Sequence, residues 1–266
     1  MTFEEITSND LEELRTLGPD DWNDIVPDFE FYIRSPYCHP IKVVEAKRII
    51  GIGSLIIFEH TAWLAHIIVD TSSRGRGIGA MIVNELIQIS TVKGIKSCLL
   101  IATELGKPIY LRAGFRIVGE YTFLKRDKGW PYFKISEDVI PFEEKYRHAL
   151  YKLDQRISGE NRENILKEQL RECLIYVKEE KVEGYYMPNL KEGMIFANTV
   201  HAGIELMKIK YETIDKAVLP SANFQALAFL KQNGFIETAT APRMAVGPDI
   251  NWEPTKMYSR IAGSLG

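Results

Sequence analysis

The segment that most narrows what this chain can fold into runs from Ile67 to Ala80. It reads Ile-Ile-Val-Asp-Thr-Ser-Ser-Arg-Gly-Arg-Gly-Ile-Gly-Ala: an apolar strand pattern, a short polar break, then a turn rich in glycine and arginine. Ile78, Ile82, Leu86 and Ile89 follow at spacings of three and four, with Met81 and Val83 beside them, which is the period of an amphipathic helix. Gly94 stops that helix. Glycines let successive backbone N–H groups converge without side-chain obstruction, and a helix N-terminus adds partial positive charge. Strand, turn and helix together make a cradle for a pyrophosphate, with Arg74 and Arg76 as charge-assisted donors.

Three phosphate-binding patterns compete for the turn. A Walker-type loop ends in Gly-Lys-Ser or Gly-Lys-Thr, where this chain has Ala80-Met81. A dinucleotide fingerprint needs G-x-G-x-x-G after the first strand of a βαβ unit, but Gly75, Gly77 and Gly79 give G-x-G-x-G behind strands of antiparallel pattern. The pattern R-x-x-G-x-G/A fits at every position, through Arg74, Gly77 and Gly79. A strand-to-helix turn without a ligand is the remaining reading, and two arginines with three glycines exceed what it requires.

Around this turn the first half alternates helices and strands. Asn9 or Asp10 caps a short helix through Leu11, Leu14 and Leu17, ended by Gly18-Pro19, and a second helical stretch starts near Asp20-Asp21-Trp22, with Pro27 disturbing its course. Strands follow over residues 41–46, 49–58 and 62–69, close enough in order for an antiparallel meander. After the helix come a strand over 97–102, a short helix from Pro108 to Ala113 closed by Gly114, and a strand from Phe115 through Phe123. Residues 137–172 are charged and mostly helical, with Pro141 opening one segment and Gly159 splitting it. Further strands are expected near 173–177, 184–187, 194–197 and 217–219, with helices through Ile204–Met207 and Asn223–Lys231, and a last strand from Gly234-Phe235.

Residues 109–115, ending Ala113-Gly114-Phe115, align with residues 229–235, ending Asn233-Gly234-Phe235; each copy has a strand, a short helix, a Gly-Phe pair and a strand. Two tandem copies of one fold explain this. The expected division is 1–135 and 136–266.

Composition excludes several function classes. A formal net charge of -3 offers nothing in bulk for nucleic acid or an anionic membrane. Cys38, Cys98 and Cys173 lack metal-ligand spacing, Cys98 reads as a small buried hydrophobe, and no disulfide framework is implied. No apolar run nears the roughly 20 residues that span a bilayer, and the acidic N-terminus has no signal-peptide core, so a cytoplasmic location is expected.

The Arg-Gly turn resembles that of the GNAT superfamily of N-acetyltransferases, and a second family feature stands at matching spacing in Thr103, Gly106, Ile109-Tyr110 and Gly114-Phe115. The resemblance implies an α/β (α+β) fold: a mixed, mostly antiparallel GNAT-type sheet flanked by helices, followed by a second, smaller GNAT-like domain. It implies acetyl-CoA as co-substrate, held by Ile67, Ile68, Val69, Arg74, Gly75, Arg76, Gly77, Ile78, Gly79, Ala80 and Thr103, with no metal. Thr103 stands where the family often has Asn. A backbone N–H near Val69 would face the oxyanion of a tetrahedral intermediate formed by direct attack of a primary amine. Tyr110 falls on the family's usual general acid; its other reading is a half-buried aromatic on a packed helix.

For the base, Glu59, His60, His66, Asp70 and a water chain all stand, and none is singled out. The second copy has Leu230 where Tyr110 would be and no arginine in residues 198–203, while Asn223 reads as a helix cap, so one active site is expected. The stretches from Leu153-Asp154 through Gly159 and Arg162, and Pro242 to Gly247, resemble a bacterial subgroup with a degenerate second GNAT domain. Tyr185 and Tyr186 either line an acceptor pocket or serve as core and surface. The alternative to an enzyme is a non-catalytic acyl-CoA-binding or sensing module, which needs no acid at Tyr110.

Overall fold

A computed structural model describes residues 1–18, 24–127, 129 and 132–266. The chain forms two compact units: Met1–Arg116 with Met244–Pro248 and Leu265, and Ile117–Arg243 with Asp249–Ser264 and Gly266.

The first unit begins with β1 (Thr2–Glu5), a single helical turn α1 (Leu11–Leu14) and α2 (Val26–Arg34), then β2 (Cys38–Glu45), β3 (Arg48–Phe58) and β4 (Thr61–Val69). These four strands pair antiparallel in order. Ala46 and Lys47 both take positive φ, 49° and 65°, the conformation that lets a two-residue turn match the strands' twist. Next come α3 (Ile78–Val92), β5 (Ser97–Ile101) and α4 (Lys107–Arg112). Gly51 and Gly53 on β3 lie under α3: a Cβ on Gly53 would stand 2.7 Å from an Ile82 methyl. The helix thus packs directly on the strand backbone, and its apolar stripe of Ile78, Ile82, Val83 and Leu86 joins Leu55, Leu64, Leu100 and Phe115 in one core.

The second unit holds β6 (Arg116–Arg126), β7 (Val139–Pro141), α5 (Arg147–Ser158), α6 (Glu163–Leu166), β8 (Leu174–Lys178), β9 (Lys181–Met187), β10 (Met194–Ala197), α7 (Val200–Tyr211), β11 (Lys216–Pro220), α8 (Phe224–Gln232), β12 (Phe235–Val246) and β13 (Met257–Ser259). The end of β12, Met244–Val246, belongs to the first unit beside β5, where the Ser97 hydroxyl donates to the Pro248 carbonyl at 2.7 Å. Within the second unit β12 neighbours β6, β6 pairs antiparallel with β11, and the other sheet runs β13-β10-β9-β8-β7.

The mixed, mostly antiparallel sheet with flanking helices is as expected. Several details differ. β1 and β13 are short and carry too few residues for a period to register. Asp10 stands at the N-cap position of α1, as expected, but its side chain makes no capping bond there: the carboxylate accepts from the Thr7 N–H (2.7 Å) and from Lys42 (2.6 Å). Pro27 sits in the first turn of α2, where its missing N–H costs nothing. The stretch near Asp20-Asp21-Trp22 and the Pro19 stop lie outside the described residues. Pro141 ends β7 rather than opening a helix. An expected division after residue 135 would leave β6 with the first unit, whereas its register against β11, Tyr121↔Pro220 to Lys125↔Lys216, holds it in the second.

Candidate active site

The expected site residues of the first unit run from the end of β4 through the turn into α3, with Thr103 before α4 and Tyr110 on it. β4 and β5 run parallel, paired from Thr61↔Ser97 to Trp63↔Leu99, and part beyond that although β4 continues to Val69. On its other side β4 stays paired with β3. Asp70 donates its N–H to the Ile50 carbonyl (3.1 Å), and Val69 is opposite Gly51, so the N–H and C=O of Val69 point away from β3 toward the side where β5 has parted. Ile68 is buried, while Ile67 and Val69 are partly buried against the α3 core.

The turn follows at once. Asp70 shapes it: its carboxylate accepts from the Ser72 N–H (2.9 Å) and hydroxyl, and the hydroxyl bond leads in holding it below the usual carboxylate range. Gly75 and Gly77 have φ of 76° and 81°, and a Cβ at either would meet nothing within 4 Å, so both border open space in a conformation that favours glycine. Gly77 caps α3, whose 15 residues start at Ile78, leaving the N–H groups of Ile78, Gly79 and Ala80 at a free helix N-terminus. Gly79 is glycine for a different reason: a Cβ there would stand 3.2 Å from Ile109 of α4.

The arginines divide. Arg74 donates from Nε to the Val69 carbonyl (3.2 Å), which bends it back along the strand end. Arg76 is instead held in a two-pronged pair with Glu45 at the end of β2, at 2.9 and 2.8 Å.

Tyr110 stands on α4, partly buried, with its ring edge-on to Phe115 at 5.9 Å. Gly106 makes room for it, since a Cβ there would meet the ring at 2.9 Å and the hydroxyl at 3.3 Å. Burial pushes the phenol up to about 12. The Thr103 hydroxyl accepts the Gly106 N–H at 3.2 Å, so it caps the turn before α4.

With this geometry in view, two sequence matches decide the family: residues 3–115 match the Acetyltransferase (GNAT) family and residues 150–259 match an Acetyltransferase (GNAT) domain. The chain belongs to the GNAT family. An N-acetyltransferase of Bacillus subtilis, YitH, described as uncharacterized, is 29% identical over 160 residues, a match that spans 56% of this chain and 56% of that protein. A putative acetyltransferase from Pyrococcus horikoshii superposes with a TM-score of 0.84 at 18% identity, over 100% of this chain and 95% of that one. A tandem GNAT protein from the clavulanic acid biosynthesis pathway gives 0.61 at 13% identity, over 93% and 99% of the two chains. At these identities the two structures show the fold, a tandem of two GNAT domains.

The second GNAT domain repeats the order of the first, with β10, α7, β11 and α8 standing for β4, α3, β5 and α4. Gly234 closes α8 at φ 84° as Gly114 follows α4 at φ 90°. Here, however, the place between the two strands is taken. β13 pairs antiparallel with β10 (Ile195↔Ser259), and the Arg260 N–H donates to the Val218 carbonyl of β11 (3.2 Å). Asn223 both caps α8, accepting from the Ala226 N–H (3.1 Å), and donates to the Met257 carbonyl (3.0 Å). Tyr258 packs so closely on Gly203 of α7 that a Cβ there would stand 2.2 Å from its ring. Tyr185 and Tyr186 are both buried on β9, and the Tyr185 hydroxyl donates to Asp154, which also holds the buried Arg162.

The base candidates separate by position. Glu59 and His60 are exposed at the β3–β4 turn, the opposite end of β4 from Val69. His66 is set apart by contacts the sequence does not announce, with Tyr32 and Asp28 on α2. Among the described residues no helix is long and apolar enough to cross a membrane, and no three His, Cys, Asp or Glu side chains group as a metal site.

Proposed function

We propose that the first GNAT domain moves an acetyl group from acetyl-CoA to a primary amine, with Ile67–Val69, Thr103 and the Arg74–Ala80 turn holding the co-substrate. The observation that carries this reading is the parting of β4 from β5 directly beside an open, left-handed glycine turn at the start of a long helix. The thioester supplies the activated acyl group. The unpaired N–H groups of the turn and helix start suit a pyrophosphate, with Arg74 beside them. Arg76 contributes there once it leaves Glu45; otherwise it braces the turn against β2. The Val69 N–H is the donor for the oxyanion.

Tyr110 supplies the hydrogen bond to the departing sulfur. A phenol at about 12 holds its proton far more tightly than an ordinary thiol near ~8.5, so it gives the proton up only as it regains one. The proton that ends on sulfur comes from the attacking nitrogen.

Thermal denaturation with acetyl-CoA, coenzyme A, NAD and ATP tests the reading on wild type and on Gly77→Glu. A ligand at a hundredfold its Kd adds about 2.7 kcal/mol to the folded state. The expected result is a rise in Tm with the two coenzyme A species alone, lost in G77E, followed by thiol release when primary amines are added. A rise that G77E retains places the ligand elsewhere, and no rise at all ends the proposal.

A further inference from the structure

Glu45 ends β2, directly opposite Arg48 across the hairpin. Its two carboxylate oxygens accept from the two terminal nitrogens of Arg76, at 2.9 and 2.8 Å. That contact leads in holding Glu45 below the usual carboxylate range, so the group is charged throughout neutral pH. A guanidinium fork fits phosphate oxygens in the same two-pronged way as it fits a carboxylate. The arginine that precedes Gly77 and the free N–H groups of α3 is therefore already engaged, by a group of the chain itself. Arg74, two residues earlier, donates to a neutral partner, the Val69 carbonyl.

The Arg76 and Glu45 side chains keep 43% and 36% of their surface exposed, and an ion pair so open to water contributes little. Gly75 and Gly77 flank Arg76 with open space, so no packing at its neighbours pins the turn. Glu45 also has a second cation in place. Arg48, its partner in the ladder, is 70% exposed and stands 3.9 Å from Asp70, longer than a hydrogen bond. A pyrophosphate at the start of α3 would offer Arg76 more negative charge than one carboxylate does, and Arg48 would remain to face Glu45.

We propose that Glu45 competes with the co-substrate's pyrophosphate for Arg76: the arginine exchanges carboxylate for phosphate as acetyl-CoA binds, and Glu45 takes it back as coenzyme A leaves. The inference rests on the acetyl-transfer reading and adds to it a contact that opposes binding. Only molecules with Arg76 released are fully competent for the ligand, so the pair raises Kd in inverse proportion to their fraction. It raises Kd for acetyl-CoA and coenzyme A alike, because both carry the pyrophosphate. Its consequence for turnover is faster release of the product.

Calorimetric titration with acetyl-CoA and with coenzyme A is made on wild type, Glu45→Gln, Glu45→Asp, Arg76→Gln and the double variant E45Q/R76Q. E45Q is expected to lower Kd for both ligands about three- to tenfold, chiefly through slower dissociation in stopped-flow displacement. E45D, too short to keep both contacts, falls between E45Q and wild type. R76Q raises Kd. The double variant matches R76Q within a factor of two, which separates competition for Arg76 from the simple removal of a negative charge near a polyanion. An E45Q Kd equal to or above that of wild type, an R76Q Kd equal to that of wild type, or equal tightening by E45Q with and without Arg76 overturns this inference alone. Wild type that binds neither coenzyme A species overturns the acetyl-transfer reading itself.

Discussion

At the scale of single residues, glycines do as much as functional groups to build the candidate site. Gly106 is the neighbour that lets the Tyr110 ring lie down on α4, and Gly79 lets α3 approach Ile109. The phenol's chemistry follows from burial: held near 12, Tyr110 stays protonated throughout the neutral range and is a donor, never a base. Tyr110→Phe is therefore expected to lower kcat for acetyl transfer by 10²–10⁴-fold, the usual worth of a positioned acid, while the acetyl-CoA rise in Tm survives. The same scale gives wild type no alkaline limb from this residue below its raised value. A Y110F enzyme with a wild-type kcat would return the residue to the status of a packed aromatic. Tyr110 was legible from its register with Gly114-Phe115. The Arg76–Glu45 pair was not, because 31 residues separate its partners and only the β2–β3–β4 meander brings them together.

At the scale of elements, one strand distinguishes the two GNAT domains. β4 and β5 part beyond Trp63 and Leu99, whereas β10 and β11 have β13 between them. Peptide backbone in the second domain thus stands between its two strands, and Asn223 donates to the Met257 carbonyl there. Gly203 and Tyr258 lock that strand down. Gly203→Ala would drive a methyl into the Tyr258 ring, and overpacking of this kind costs about 1–3 kcal/mol, more than the roughly 1 kcal/mol that alanine gains over glycine inside a helix. Urea denaturation should show G203A with a lower midpoint than wild type. An equal or higher midpoint would mean that β13 yields easily and plugs nothing. Sequence reading expects a single active site by another route, from Leu230 and the missing arginine; β13 itself, three residues long, was invisible to it.

At the scale of the whole molecule, two GNAT domains with a site proposed in the first alone imply a stoichiometry. Calorimetric titration with acetyl-CoA is expected to give one site per chain, and two sites would contradict the filled gap in the second domain. The sequence by itself determined the elements with a strong period or a sharp turn: β3 and β4, α3, the Gly-Phe repeats and the glycine turn before α3. Those signals are local, set by side-chain spacing and by the few residues that tolerate positive φ. Only the tertiary structure decided which strands exchange company. β6 continues directly from the α4 helix yet pairs with β11, and the end of β12 returns to the first unit, because pairing depends on partners far away in sequence. A histidine inside an apolar strand carries no mark of its contacts until a bulge turns it and α2 brings Asp28 and Tyr32, 38 and 34 residues earlier, within reach of its two nitrogens.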